Sequence, residues 1–239
     1  MSRYTHRSSL TELIDAPGVP FDDWSQCLHE LNVINTWLGG HVITLQGVKQ
    51  LLEGINGPVI IAEIGCGGGD NLKAIHAWNR HKGLQLEYVG VDYSEACIDF
   101  AKENCSALPV VSFIHSDYRT AQFQQKPDII FSSLFCHHFT DAQLLEMMLW
   151  LDANTTTGFF INDLQRHPLA YYSIKWLTAL LSNSYLVKND APISVLRGFR
   201  KAEWECILQQ AGIKQYSIHW KWAFRYLIVV CKSLALKQV

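Results

Sequence analysis

At 239 residues, 49% of them hydrophobic and 18% charged, the chain can build one globular domain with a sizeable core and a small accessory element. A formal net charge of −2 with no run of Lys or Arg points away from a nucleic-acid partner, and no apolar run reaches the roughly 18–20 residues that a membrane span needs. The polar start, MSRYTHRSSLTELIDAPG, has no apolar signal core, and seven cysteines, odd in number and without a CxxC pair, read as buried free thiols of a reducing compartment, so a cytoplasmic protein is expected.

In chain order, Trp24, Cys27, Leu28, Leu31, Ile34, Trp37 and Leu38 recur at helical spacing over 21–38. Two glycines at 39–40 break the pattern, and a second helix is expected over about 41–53, closed by Gly54, Gly57 and Pro58. The period then changes. Short β-branched runs at 58–65, 86–92, 110–117, 128–135 and 157–163 read as strands, with helical stretches between them. Ser94 is placed to cap one of these helices, and Thr140 with Gln143 has the form of a capping box for another. Alternating strands and helices indicate a parallel α/β sheet covered on both faces.

Pro168 opens a helix PLAYYSIKWLTALLS, an irregular stretch NSYLVKNDAPISVLRGF follows, and a helix KAEWECILQQAG ends at Gly212. Two last strands, roughly 214–221 and 224–232, are joined too tightly for anything but an antiparallel hairpin, so the sheet ends with one reversed strand. The fold class is therefore α/β: a Rossmann-like seven-stranded sheet, mostly parallel. An N-terminal helical cap over 1–57 precedes the main domain, 58–239, which carries an insertion at about 165–200.

The most informative motif is AEIGCGGGDN. A buried strand runs into Gly65, Gly67 and Gly69, and glycines there let the backbone turn sharply and approach a ligand at a helix N-terminus. Asp92 ends the next strand, 23 residues after Gly69, where a carboxylate can accept both hydroxyls of a ribose. Dinucleotide folds usually show GxGxxG, whereas the spacing here is GxGxG with Asp70 following. Glu63 inside the strand would repel a diphosphate but welcome a cationic ligand tail.

On EIGCGGGD (63–70), VGVDYS (89–94), IHSDY (114–118) and DIIFSSLFCHHF (128–139), the sequence resembles the class I S-adenosylmethionine (SAM)-dependent methyltransferases over roughly residues 58–232. The resemblance implies SAM as cofactor. Gly65, Cys66 and Gly67 would line its methionine end, with Glu63 beneath the loop and the amino group. Asp92 would hold the ribose with Tyr93 against the adenine, Asp117 would accept from the adenine amino group with Tyr118 beside it, and the backbone at Leu134 and Phe135 would pass the sulfonium. An NAD(P)-dependent oxidoreductase and a non-catalytic SAM-binding module are the competing classes.

Methyl transfer is an in-line displacement, and a hydroxyl or acidic carbon acceptor must also lose a proton. The exit of the fourth strand, SLFCHHFTD, is where acceptor and sulfonium should meet. It carries neither the Asn/Asp-Pro-Pro-aromatic motif of amino-methylating DNA enzymes nor the Pro-Cys of cytosine C5 methylation, which favours a small-molecule acceptor. His138 and His137 are candidates for the general base, His138 foremost, with His167 a third; packing or helix capping is the plain reading of each. A metal is not expected, because adjacent histidines rarely converge on one ion and no cluster with ligand spacing follows. Asp163 likewise has no acidic partner after the fourth strand to hold magnesium. The resemblance implies that the insertion at about 165–200 is a substrate lid, with Tyr171, Tyr172 and Trp176 expected to line an apolar substrate pocket and Arg197 to meet an acidic substrate. The whole run from 132 to 199 looks like ubiquinone/menaquinone-type methyltransferases and those accompanying type III polyketide synthases, which implies transfer to an O or C nucleophile of a phenolic or polyketide-derived molecule. Oligomeric state is not legible.

Overall fold

The computed structural model describes residues 3–16 and 18–232. Helices α1 (Phe21–Trp37) and α2 (Gly40–Leu52) precede an alternating series: β1 (Val59–Ile64), α3 (Asp70–Asn79), β2 (Leu86–Asp92), α4 (Glu95–Asn104), β3 (Val111–His115), β4 (Ile129–Ser133), α5 (Asp141–Asn154) and β5 (Gly158–Leu164). Then come α6 (Pro168–Leu181), α7 (Tyr185–Arg197), α8 (Lys201–Gln210) and the hairpin β6 (Tyr216–Lys221) and β7 (Arg225–Cys231). The sheet order is β3-β2-β1-β4-β5-β7-β6, with β7 antiparallel to both neighbours and the remaining pairings parallel. This is the seven-stranded, Rossmann-like sheet with one reversed strand that the sequence predicts.

Each central strand is buried on both faces, so its residues divide by parity. Ala62 and Ile64 of β1, with Phe159 and Ile161 of β5, pack with Leu144 and Met147 of α5 and Trp204 of α8. Val59, Ile61 and Phe160 point the other way, into Ile43, Val48 and Leu51 of α2 and Leu72 and Ile75 of α3. Both anticipated caps form: the Cys97 N–H donates to Ser94 Oγ, and Thr140 and Gln143 make the reciprocal capping box.

One expectation fails. The stretch foreseen as irregular is α7, despite Pro192 inside it. A proline in a helix interior costs about 3 kcal/mol or more. Here Ser184 caps the first turn, and Leu186, Val187, Asp190, Val195 and Leu196 are all buried, against α6, α1 and the N-terminal segment. Burial of that face outweighs the local penalty.

The order in which strands are added reverses between β1 and β4, which lie side by side and parallel while β2 and β3 build outward on one side and β5 on the other. A crevice at the carboxyl ends of the strands is the consequence. Helix α2 crosses the sheet closely enough that a Cβ at Gly47 would come within 2.5 Å of the Phe160 ring. That ring is wholly buried and stacked on Phe131 at 4.8 Å, so it has nowhere to move. Gly47→Ala gains about 1 kcal/mol of helix propensity, yet overpacking dominates. The variant should lose about 1–3 kcal/mol in urea unfolding while ligand binding at the crevice stays as in the parent.

Candidate active site

The crevice is a cavity of about 710 Å3, within the ~300–1,000 Å3 range of small-molecule sites. Its floor is the loop after β1. Gly65 has φ +65°, and a Cβ there would meet the Phe135 ring at 2.3 Å, so only glycine lets the loop pass under the β4 exit. Cys66 and Gly67 continue the lining.

Beneath the loop, Glu63 is buried and its Oε1 accepts from Asn71 Nδ2 at 2.7 Å. Asn71 Oδ1 faces His41 Nδ1 at 2.8 Å, and His41 Nε2 stands 2.9 Å from Asn32 Oδ1. The chain of contacts joins β1, α3, α2 and α1. Glu63 Oε2 is buried without a hydrogen-bond partner, although Glu63 lines the cavity. Burial pushes this carboxyl well above the ordinary range against the Asn71 hydrogen bond, and the nearby charges of Asp70 and Asp92 push the same way. An ammonium or sulfonium ligand suits such a wall. A diphosphate does not, since none of the lining residues is Lys or Arg.

Asp92 ends β2 with both oxygens already engaged: Oδ2 accepts from the Gly67 N–H and Oδ1 from the Ser94 N–H, each at 2.9 Å. One carboxylate thus fixes the glycine loop and the start of α4, and each oxygen retains a lone pair. Burial raises its pKa, opposed by the N–H donors of Ser94, Gly67 and Tyr93. Tyr93 lies largely exposed on the rim. Asp117 is held by the Arg119 guanidinium, Nη2 to Oδ2 2.5 Å, which keeps its carboxyl below the usual range. Tyr118 packs edge-on to Phe135, Phe139 and Trp150.

At the β4 exit Leu134 takes φ +55°, a left-handed conformation unusual for a branched residue, and its N–H donates to Asn162 O. The next residues, 136–138, form one turn of 3-10 helix. Cys136 is wholly buried and burial holds its thiol far above the normal range, so it offers no thiolate. His137 is buried behind the cavity with Nδ1 2.8 Å from Asp163 Oδ1. Burial alone would raise Asp163, but the charge and hydrogen bond of His137 bring it below its ordinary value. His138 lines the cavity, its Nδ1 3.2 Å from Asp15 Oδ2. Asp15 too is lowered despite burial, through His138 and Arg197.

The expected substrate residues lie elsewhere. Arg197 donates from Nε to the His137 carbonyl (2.9 Å), from Nη2 to the His138 carbonyl (2.7 Å) and from Nη1 to the Leu10 carbonyl. It braces the histidine turn, and none of its contacts faces the cavity. Tyr171 is buried against Tyr4, while α6 turns Tyr172 and Trp176 outward on a face shared with Leu169 and Leu180. His167 caps α6, Nδ1 accepting from the Leu169 N–H, and stacks on Phe224. None of these five lines the cavity.

The cavity wall opposite the glycine loop comes from the N-terminus. Trp24, Leu28, Leu31, Asn32 and Asn35 present one face of α1, and Ile14 and Asp15 add a second edge. The i, i+4, i+7, i+8 and i+11 spacing of the α1 residues was visible in the sequence, and the two asparagines on an otherwise apolar stripe were its unread signal. Nothing local announces Glu12. It is buried against the histidine pair, and burial pushes its carboxyl up to about 7, partly offset by His138.

Residues 61–167 match the family model described as a methyltransferase domain, a span that contains the glycine loop, Asp92, Asp117 and the histidine turn. The carboxy-S-adenosyl-L-methionine synthase of Helicobacter pylori (strain HPAG1) is 26% identical over 198 residues, 77% of this chain and 80% of the relative. A Nostoc punctiforme PCC 73102 protein named for O-methyl transfer superposes with a TM-score of 0.60 at 17% identity, over 87% of this chain and 60% of the other. Human N-acetylserotonin methyltransferase in complex with SAM gives 0.64 at 15% identity, over 89% and 56%. The chain therefore spans somewhat over half of each of these two structures, and likeness at such identity establishes the fold.

Asp92→Ala should weaken binding of S-adenosylhomocysteine by about 1–3 kcal/mol, the usual effect of losing a buried hydrogen-bond partner. Calorimetry on variant and parent, with melting curves to confirm folding, would expose a wrong assignment as unchanged affinity.

Proposed function

We propose that this chain, a SAM-dependent methyltransferase, methylates an oxygen or carbon nucleophile of a small, apolar acceptor of phenolic or polyketide-derived type. SAM supplies an electrophilic methyl group on its sulfonium when bound. The observation that carries the reading is the division of the lining: acids around the glycine loop, apolar side chains and one imidazole beyond it.

Glu63 and the loop Gly65–Gly67 would hold the methionine end, with the free Glu63 oxygen meeting the ammonium. Asp92 would take the ribose, while Tyr93, Asp117 and Tyr118 would flank the adenine. Leu134 sets the backbone that passes the sulfonium. On the other side Trp24, Leu28, Leu31, Ile14 and Phe139 exclude water from the acceptor, which favours a ring or acyl chain. The acceptor's acidic proton has to leave near the moment of attack. His138, held through Nδ1 by Asp15, is the side chain placed to activate it. His137, one residue earlier, is buried and serves as its support.

The Helicobacter relative's name raises carboxylated-cofactor chemistry. A carboxylate beside the sulfonium calls for a cation, and the described lining offers no Lys or Arg. Plain methyl transfer fits this wall better. A small acceptor also accords with the net charge of −2 and the acidic lining, which disfavour a polyphosphate partner. No helix among the described residues is long and apolar enough to cross a membrane.

Calorimetry should show binding of S-adenosylhomocysteine and none of NAD; the reverse would sink the reading. With a phenolic test acceptor, His138→Ala should lower kcat by roughly 10²–10⁴-fold, while His167→Ala stays within about threefold of the parent. Equal effects of the two changes would remove His138 from its assigned role.

A further inference from the structure

Both histidines of the 136–138 turn use Nδ1 against a carboxylate: His137 on Asp163 at 2.8 Å, His138 on Asp15 at 3.2 Å. A carboxylate only accepts, so each Nδ1 carries the hydrogen and each Nε2 of the neutral rings is left with a lone pair. Both Nε2 atoms then face the same group. His137 Nε2 lies 3.7 Å from Glu12 Oε1, and His138 Nε2 lies 3.8 Å from Glu12 Oε2. These separations are too long for hydrogen bonds. They are close to the roughly 3.0–3.5 Å between two ligands that each stand about 2.1 Å from one ion. All three donor atoms lie within 4.8 Å of one another. Independently, Glu12 Oε1 is buried with no hydrogen-bond partner.

We propose that Glu12, His137 and His138 bind a divalent transition-metal ion of the borderline class, such as zinc or iron(II), in the wall of the cavity. The donor set is two imidazoles and one carboxylate, which suits that class and not magnesium or calcium, whose ligands are oxygens. Three protein ligands leave coordination positions open. Each histidine is oriented through its far nitrogen by a carboxylate, the outer-shell arrangement that metal-binding imidazoles favour. The turn and the segment before it are tied down by hydrogen bonds. Arg7 and Arg197 hold the carbonyls of His137, His138 and Phe139. Asp190 of α7 accepts from the Leu13 and Ile14 N–H groups and so fixes the turn that follows Glu12.

Of the three ligands only His138 lines the cavity, so the ion would stand at the edge of the proposed acceptor space, with Glu12 and His137 buried behind it. Its role would rest on the acceptor reading above: with the ion bound, His138 would be a ligand in place of a base, and the ion would supply Lewis acidity that eases loss of the acceptor's proton. The binding site itself stands on geometry alone.

Tag-free protein, dialysed against chelator and titrated with Co2+, should take up one ion per chain with visible ligand-field absorption, displaced by Zn2+ and not by Mg2+. Asp15→Asn should lower Co2+ affinity about 10–100-fold, as expected of an outer-shell partner. Glu12→Gln and His138→Gln should lower it further, while S-adenosylhomocysteine binding in every variant stays at the parent value. No uptake by the parent, or uptake unaltered in both Glu12→Gln and His138→Gln with S-adenosylhomocysteine still bound, would overturn the site. Cobalt uptake with the expected variant losses but no S-adenosylhomocysteine binding would support the site and refute the methyltransferase reading instead.

Discussion

Three carboxylates at the carboxyl ends of parallel strands organise this molecule: Glu63 on β1 and Asp163 on β5, both buried, and Asp92 on β2, partly buried. A carboxylate taken out of water without partners is costly, so each must recruit donors from elsewhere. Glu63 recruits Asn71 and, through it, His41 and Asn32 from the N-terminal helices. Asp92 recruits the N–H groups of Gly67 and Ser94 and thereby sets the glycine loop against α4. Asp163 takes the ring and backbone N–H of His137 and the N–H of Leu164, which ties the β4 exit to β5. The crevice walls are where they are because these three acids need satisfying.

A second tier follows from the third of these pairs. Once Asp163 fixes the histidine turn, its carbonyls point outward and demand donors of their own, which Arg7 and Arg197 provide. Arg7 comes from the N-terminal segment and Arg197 from the end of α7. Their guanidiniums therefore stitch three distant parts of the chain around one turn, and α7 repays the segment by accepting Leu13 and Ile14 on Asp190. An arginine with planar, multiple donors suits this work better than a lysine.

The sheet, its reversed strand and both side-chain caps were readable because each depends on local pattern, and the residues expected to hold the cofactor, at strand ends and in the glycine turn, are brought together by the same sheet order. Glu63, Gly65, Cys66, Gly67, Asp92, Tyr93, Asp117, Tyr118 and Leu134 all line one cavity. The other wall of the cavity was harder to read for the opposite reason. An aromatic helix such as α6 looks like a pocket wall in sequence, yet which face it buries is decided by α7, itself obscured by Pro192. Arg197 carries a charge that reads as a ligand contact until its three backbone acceptors are known. Glu12 sits 125 residues before His137, and no spacing rule links them.

The adjacency of His137 and His138 shows how backbone conformation decides where neighbouring side chains point. In a strand, neighbours point to opposite faces, and the pair would diverge. In the 3-10 turn that actually forms, the two rings lie side by side, centroids 4.4 Å apart and tilted by 33°. The change from strand to turn at Leu134, with its left-handed φ, is what converts two separate imidazoles into one surface. The same conformational step carries the Leu134 backbone past the glycine loop at Phe135 and aligns both rings on Glu12. Leu134 thus stands where the glycine-loop side and the histidine side of the cavity meet. Any change that lets Leu134 relax to an extended conformation would pull both apart together.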